Sequence, residues 1–206
     1  PQRLATMPTD VTEMCDAMAA LGRQVLVNVL EALKVPRANW DAATAECLSG
    51  KAVEWMAVSH YRSDRRVLGC PEHKDTGYIT ILYFDQDGLQ ARRDGAWYNI
   101  DPVPGYFLVN FGGALERLTR RLSRPVEAVL HRVEECSSCE TDDERTSFAA
   151  FINPAASAML CEIDEAGSIY ETERVEDFLR EFNAKTWKDD HDAFGISDSA
   201  SQQEIA

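Results

Sequence analysis

From residue 52 onward, the hydrophobic pattern changes from the three-and-four spacing of a helix to the two-residue alternation of extended strands, and that alternation persists to residue 152. Seven runs carry it: 53–61 (VEWMAVSHY), 78–84 (YITILYF), 88–93, 96–100 (AWYNI), 105–111 (GYFLVNF), 126–133 (VEAVLHRV) and 146–152 (TSFAAFI). No helical stretch is read between them, so parallel strands joined by crossover helices are excluded and an antiparallel sandwich or barrel is expected. Asp94-Gly95, between two of the runs, is a tight-hairpin signal, and Pro102 and Pro104 punctuate the next connection.

Helices flank this block. Asp10 and Glu13 have capping-box spacing, and Val11, Met14, Met18, Leu21, Val25, Val29 and Leu33 recur at helical intervals, predicting a helix over 10–34 that Pro36 stops. Val175, Phe178, Leu179 and Phe182 fall on one face of a second helix, expected from about 171 to 185. It reads as a packing helix in preference to a lid over the barrel mouth. The polar tail 191–206 is expected to be disordered.

Charge and cysteine usage narrow the function classes. A net charge of −14 repels phosphate backbones and anionic membrane surfaces, so neither nucleic acid nor membrane is expected as a partner. No apolar run approaches the roughly 20 residues that cross a bilayer. Six scattered cysteines in a chain of 206 residues suit a reducing, cytoplasmic setting. Cys136 and Cys139 form a lone C-x-x-C in the acidic loop EECSSCETDDE. With no further ligands at a sensible spacing, they read as incidental thiols.

The four histidines are His60, His73, His131 and His191. His131 alternates with Val129 and Val133 on an apolar side of its run, where a lone histidine is ordinarily a core residue. His73-x-Asp75 at the mouth of an apolar strand is equally weak alone. Together the three supply two imidazoles and one carboxylate, the donor set of a facial triad that leaves other iron positions open. Two residues apart in extended chain, side chains point the same way, so His73 and Asp75 suit one ion. Arg145 and Ser147 are also two apart, on a strand face shared with Ala149 and Phe151. A guanidinium and a hydroxyl placed so can grip a carboxylate. His60 is expected to alternate to the opposite face, and His191, in KDDHDAF, to be a surface residue.

These pieces stand in one order: HKDTGYITILY, GLQARRDGAWYNIDPVPGYFLVNFGGALERLT, AVLHRV and RTSFAAFINP. In that order the stretch from about residue 50 to 155 resembles the catalytic core of the 2-oxoglutarate/Fe(II)-dependent dioxygenases. The nearest branch contains isopenicillin N synthase and the plant hydroxylases and desaturases of specialised metabolism. The resemblance implies a distorted double-stranded β-helix, or jelly roll, of antiparallel strands with flanking helices. It implies Fe(II) on His73, Asp75 and His131, and 2-oxoglutarate held by Arg145, Ser147 and Tyr61. Ser59 stands where the family often has asparagine, two residues before that tyrosine.

The implied reaction couples decarboxylation of 2-oxoglutarate to succinate and CO2, using O2, with hydroxylation, desaturation or cyclisation of a small organic substrate. An oxidase like isopenicillin N synthase, needing no 2-oxoglutarate, and a non-catalytic barrel with a degenerate site stand as alternatives. The expected organisation is one catalytic domain over 1–206: helical support at 1–50, the jelly-roll core at 51–155, a C-terminal helix and lid at 156–190, and the tail. The family's further N-terminal region, which helps wall the substrate pocket, is expected to be missing here.

Overall fold

The computed structural model describes residues 9–52, 55–61, 69–134 and 144–186. The Cys136/Cys139 loop, His191, the tail and the side chain of Asp10 lie outside the described residues. Helix α1 (Thr9–Ala32) leads through a short α2 (Trp40–Ala43) into β1 (Trp55–Tyr61), β2 (Ile79–Phe84), β3 (Leu89–Arg93), β4 (Ala96–Ile100) and β5 (Leu108–Phe111). Then come α3 (Gly113–Thr119), β6 (His131–Val133), β7 (Arg145–Ile152), β8 (Met159–Ile163), β9 (Ile169–Arg174) and α4 (Val175–Thr186).

The described strands pair antiparallel in a major sheet ordered β1-β7-β2-β5, a minor sheet ordered β4-β3-β6, and a β8–β9 hairpin. This is the jelly roll that the alternation and the resemblance anticipate. No described helix is long and apolar enough to cross a membrane.

Each face of the major sheet has its own chemistry because side chains alternate. Ile79, Ile81, Ala150 and Ile152 are buried on the outer face, where α1 packs. The stripe that α1 buries centres on Met18, Leu26 and Leu30, whereas Leu21, expected inside, is 39% exposed. Gly22 decides between these neighbouring stripes. A Cβ there would sit 2.5 Å from Ile152 Cγ1, so its absence lets the helix approach the sheet closely along that line. The helix ends with Lys34 in the left-handed region (φ 58°), its N–H bonded to Glu31 O (3.0 Å), while Val35 N–H reaches Leu30 O (3.0 Å). That is a Schellman stop, with Pro36 following directly.

Four expectations need correction. A helix, α3, lies between the runs at 105–111 and 126–133, where no helical stretch is read; it buries Ala114, Leu115 and Leu118. The strand expected at 126–133 is only 131–133, because other partners take the preceding amides. Val126 N–H donates to Thr119 Oγ1 (2.8 Å) and Ala128 N–H to a Glu116 carboxylate oxygen (2.7 Å), so α3 satisfies that stretch. The run at 105–111 pairs only from Leu108, after a turn at Gly105 (φ 81°) closed by Tyr106 N–H to Val103 O. Finally, 156–190 is not helix alone. β8 and β9 fill 159–174 before α4 begins at Val175. The helix is a packing element: Val175 and Phe178 are buried and the Phe182 ring lies against Gly113.

Candidate metal centre

His73 precedes β2 and His131 opens β6, yet main-chain bonds place them directly opposite each other. His73 N–H donates to His131 O and His131 N–H to His73 O, both at 2.9 Å. Residues paired this way project side chains to the same side. Their ring centroids accordingly lie 4.2 Å apart. Asp75 enters from the loop between His73 and β2, and its Oδ1 is 3.8 Å from Nε2 of each histidine.

The opposite atoms of all three side chains are engaged. Nδ1 of His73 lies 2.8 Å from Pro71 O and Nδ1 of His131 3.0 Å from Val129 O. A carbonyl only accepts, so these nitrogens carry the protons and both Nε2 atoms present lone pairs. Asp75 Oδ2 accepts from Thr80 Oγ1 (2.6 Å) and Asn110 Nδ2 (2.8 Å), which turns Oδ1 toward the imidazoles. The result is three converging acceptor atoms, within 4.8 Å of one another, at separations too long for hydrogen bonds and with no proton between them. Such a donor set fits a divalent cation, and its outer hydrogen bonds are of the kind that orient metal ligands.

The loop holding Asp75 is itself fixed by α3. Gly113 N–H donates to Asp75 O (2.8 Å), Ala114 N–H to Thr76 O (3.0 Å) and Gly112 N–H to Tyr78 O (3.2 Å). Amides at a helix start that lack a partner within the helix are thereby satisfied. Gly112 is required by this close approach: a Cβ there would fall 2.3 Å from Gly77 O and 2.9 Å from Asp75 O.

A second cluster sits at the other end of the same inner face. Register sets Tyr61 opposite Arg145 and Ser59 opposite Ser147, so all four side chains share a face. Arg145 is only 8% exposed, with its guanidinium 5.0 Å from the Tyr61 ring and 5.5 Å from the Phe84 ring. Its Nε reaches Gln86 O at 3.3 Å, and its buried Nη1 has no hydrogen-bond partner. Burial pulls the Arg145 pKa down from its ordinary value, opposed by Tyr61 and Asp85. Burial likewise raises Tyr61, with Cys70 adding and Arg145 and Ser59 opposing. A buried cation with an unmatched donor fits an incoming carboxylate. Thr80, Leu82 and Phe84 alternate along β2 from the Asp75 support to the Arg145 wall, spanning about 13 Å at 3.3 Å per residue.

His73, Asp75 and His131 are thus brought together, as are Tyr61, Arg145 and Ser147. His60 points away, its Nε2 3.0 Å from the Glu144 carboxylate. Thr80 and Asn110 were not read from the sequence. Their available signal was a polar residue at an inward position of an otherwise apolar strand.

His73 gives a pH prediction. Its pKa lies below the usual 6.5, first through burial and then through repulsion by His131, with the Pro71 carbonyl and Asp75 acting the other way. Below about pH 6.5 the unfolded chain therefore binds this proton before the folded one does, and stability falls with pH through that window. Metal-free protein is expected to melt at a lower temperature at pH 5.5 than at 7.5. A His73→Asn variant should show a flatter dependence, and an unchanged slope would refute the assignment.

A jelly roll enclosing a two-histidine, one-carboxylate cluster, with a buried arginine on the same inner face, defines a recognisable class. The family model of the 2OG-Fe(II) oxygenase superfamily matches residues 53–154. The chain belongs to that superfamily. It is 27% identical over 159 residues to oxoglutarate-dependent flavonoid 7-O-demethylase 1 of Ocimum basilicum, a match covering 75% of this chain and 41% of the relative. It is 34% identical over 137 residues to 2'-deoxymugineic-acid 2'-dioxygenase of Hordeum vulgare, covering 62% and 38%. Its fold is similar to the crystal structure of JOX2 in complex with 2OG, Fe and JA, with a TM-score of 0.70 at 24% identity, covering 88% of this chain and 54% of that one. The chain spans about two fifths of the length of these curated relatives.

Proposed function

We propose that this chain carries the catalytic core of a non-haem Fe(II), 2-oxoglutarate-dependent oxygenase, a single domain with its jelly-roll core at 51–155. The observation that carries the proposal is the convergence of His73 Nε2, His131 Nε2 and Asp75 Oδ1 as three lone-pair donors. They are the proposed ligands of ferrous iron. Iron held there supplies O2 activation coupled to decarboxylation of 2-oxoglutarate to succinate and CO2, with oxidation of a substrate C–H bond by hydroxylation, desaturation or ring closure.

The chain's own contribution is placement. Pro71 O and Val129 O hold both imidazoles in the Nδ1–H form, and Thr80 and Asn110 hold the carboxylate. Arg145, with its unmatched Nη1, would grip the distal carboxylate of 2-oxoglutarate beside Ser147 and Tyr61. Asp75 and Arg145 are themselves buried, which strengthens their electrostatic grip. A small organic substrate of specialised metabolism is supported by relatives named as a flavonoid demethylase and a flavanone dioxygenase. A reducing compartment such as the cytoplasm suits ferrous iron and thiols at Cys15, Cys47, Cys70 and Cys161.

The test is anaerobic addition of 2-oxoglutarate to the Fe(II)-loaded protein, followed by air. A visible charge-transfer band and then release of succinate are expected. Absence of both would overturn the reading, and O2 uptake without any need for 2-oxoglutarate would favour the oxidase alternative.

A further inference from the structure

We propose that the inner face beside the metal centre takes a planar aromatic substrate, with Trp55 and Tyr98 as the residues that select it. This rests on the function proposed above and names the substrate class for the same site.

On the inner face of the major sheet, register aligns Trp55, Phe151, Thr80 and Asn110 in one row across four strands. Thr80 and Asn110 are the residues that hold Asp75. At about 4.8 Å per strand, the Phe151 backbone lies roughly 5 Å and the Trp55 backbone roughly 10 Å from that of Thr80. The two rings are stacked, with centroids 4.3 Å apart and planes 18° from parallel. Trp55 is nevertheless 51% exposed. It forms a flat apolar shelf beside the donor cluster, stacked on Phe151.

The minor sheet supplies a second aromatic surface. Tyr98 is opposite Ala91, and Ala91 is opposite His131, so the three share the face from which His131 reaches Asp75. Tyr98 is 52% exposed, and only the methyl of Ala91 stands between its strand and that of His131. Large rings therefore occupy the outer positions of the two rows and small side chains the positions nearer the donors.

This distribution selects by shape. A flat ring system gains stacking on an exposed ring such as Trp55 or Tyr98 beyond the apolar area it buries, which a compact aliphatic molecule does not. Trp55, Phe151, Ala91 and Tyr98 carry no charge. Among the described residues, Arg145 is buried at the far end of β7, and Arg93 stands two residues beyond Ala91 on the same face, at the exposed hairpin.

Equilibrium dialysis under anaerobic conditions tests this, using protein loaded with Fe(II) and 2-oxoglutarate, with apigenin as the planar uncharged probe and L-proline as a compact zwitterion. Apigenin is expected to be retained and L-proline not. Trp55→Ala should weaken apigenin retention about tenfold, in line with loss of one stacking surface. Trp55→Phe should restore most of it, and the 2-oxoglutarate band should form equally in all three proteins. Equal apigenin affinity in wild type and Trp55→Ala, or retention of L-proline in preference to apigenin, overturns the inference while leaving the iron reading intact. If the band forms in none of them, the iron reading fails, and dialysis of the metal-free proteins still decides whether Trp55 holds the ring.

Discussion

A His131→Ala variant is expected to fold and to lose its iron. The substitution keeps the main-chain N–H and C=O that pair with His73, so the bridge between the sheets survives. Asp75 also keeps both donors to Oδ2, so no buried carboxylate is left without partners. What disappears is one of three converging lone pairs. Loss of an outer hydrogen-bond partner alone costs metal sites about ten- to a hundredfold in affinity, so removal of a ligand should exceed a hundredfold. Iron content after anaerobic reconstitution, read beside a thermal melt, checks this. Wild-type iron content in a folded His131→Ala protein would refute the ligand assignment.

Arg145→Ala should separate the two halves of the site. Breaking a buried ion pair by removing one partner costs about 3–5 kcal/mol, so 2-oxoglutarate should bind at least about a hundredfold more weakly. Iron content should stay at the wild-type level, because Arg145 stands at the opposite end of the inner face from Asp75. Arg145→Lys should recover only part of the loss, since an ammonium cannot match the planar fork of a guanidinium. Joint loss of iron and 2-oxoglutarate would show that the division of roles is wrong. Titration of the charge-transfer band reports both quantities in one experiment.

The legible strands were those whose residue types alternate in kind, whether or not one face is wet. The period of two in β7 put Arg145 beside Ser147, and the family resemblance added Tyr61 and Ser59, which the register of β1 sets opposite them. β8 did not announce itself because Leu160, Cys161, Glu162 and Ile163 are all buried, which erases the alternation. Glu162 adds to the disguise: it is buried because Arg121 and Arg117 pair with it, a fact of tertiary structure alone. The start of α4 was placed too early because helical spacing from Val175 onward does not show that the residues before it pair with β8.

The same division holds at the site. H-x-D and the distant histidine could be gathered as a donor set, because residue type alone suggests it. Their orientation could not, because Pro71 O and Val129 O are backbone atoms without a sequence signature. α1 shows the limit of periodicity most directly. Two adjacent apolar stripes compete there, and a missing methyl at Gly22 settles which one faces the sheet.

The reciprocal backbone pair between His73 and His131 has a bearing on how the protein survives in a cell. It stitches a loop leading into one sheet to a strand of the other, across a long intervening segment whose closure has an entropic cost. An ion shared by those two histidines acts as a rivet through that seam. By mass action, it favours the closed barrel over every state in which the seam has parted. Iron supply would then govern how long each molecule escapes proteolysis, besides any part it has in the proposed reaction. Scarcity of the metal would thin the protein's numbers before it idled the remainder.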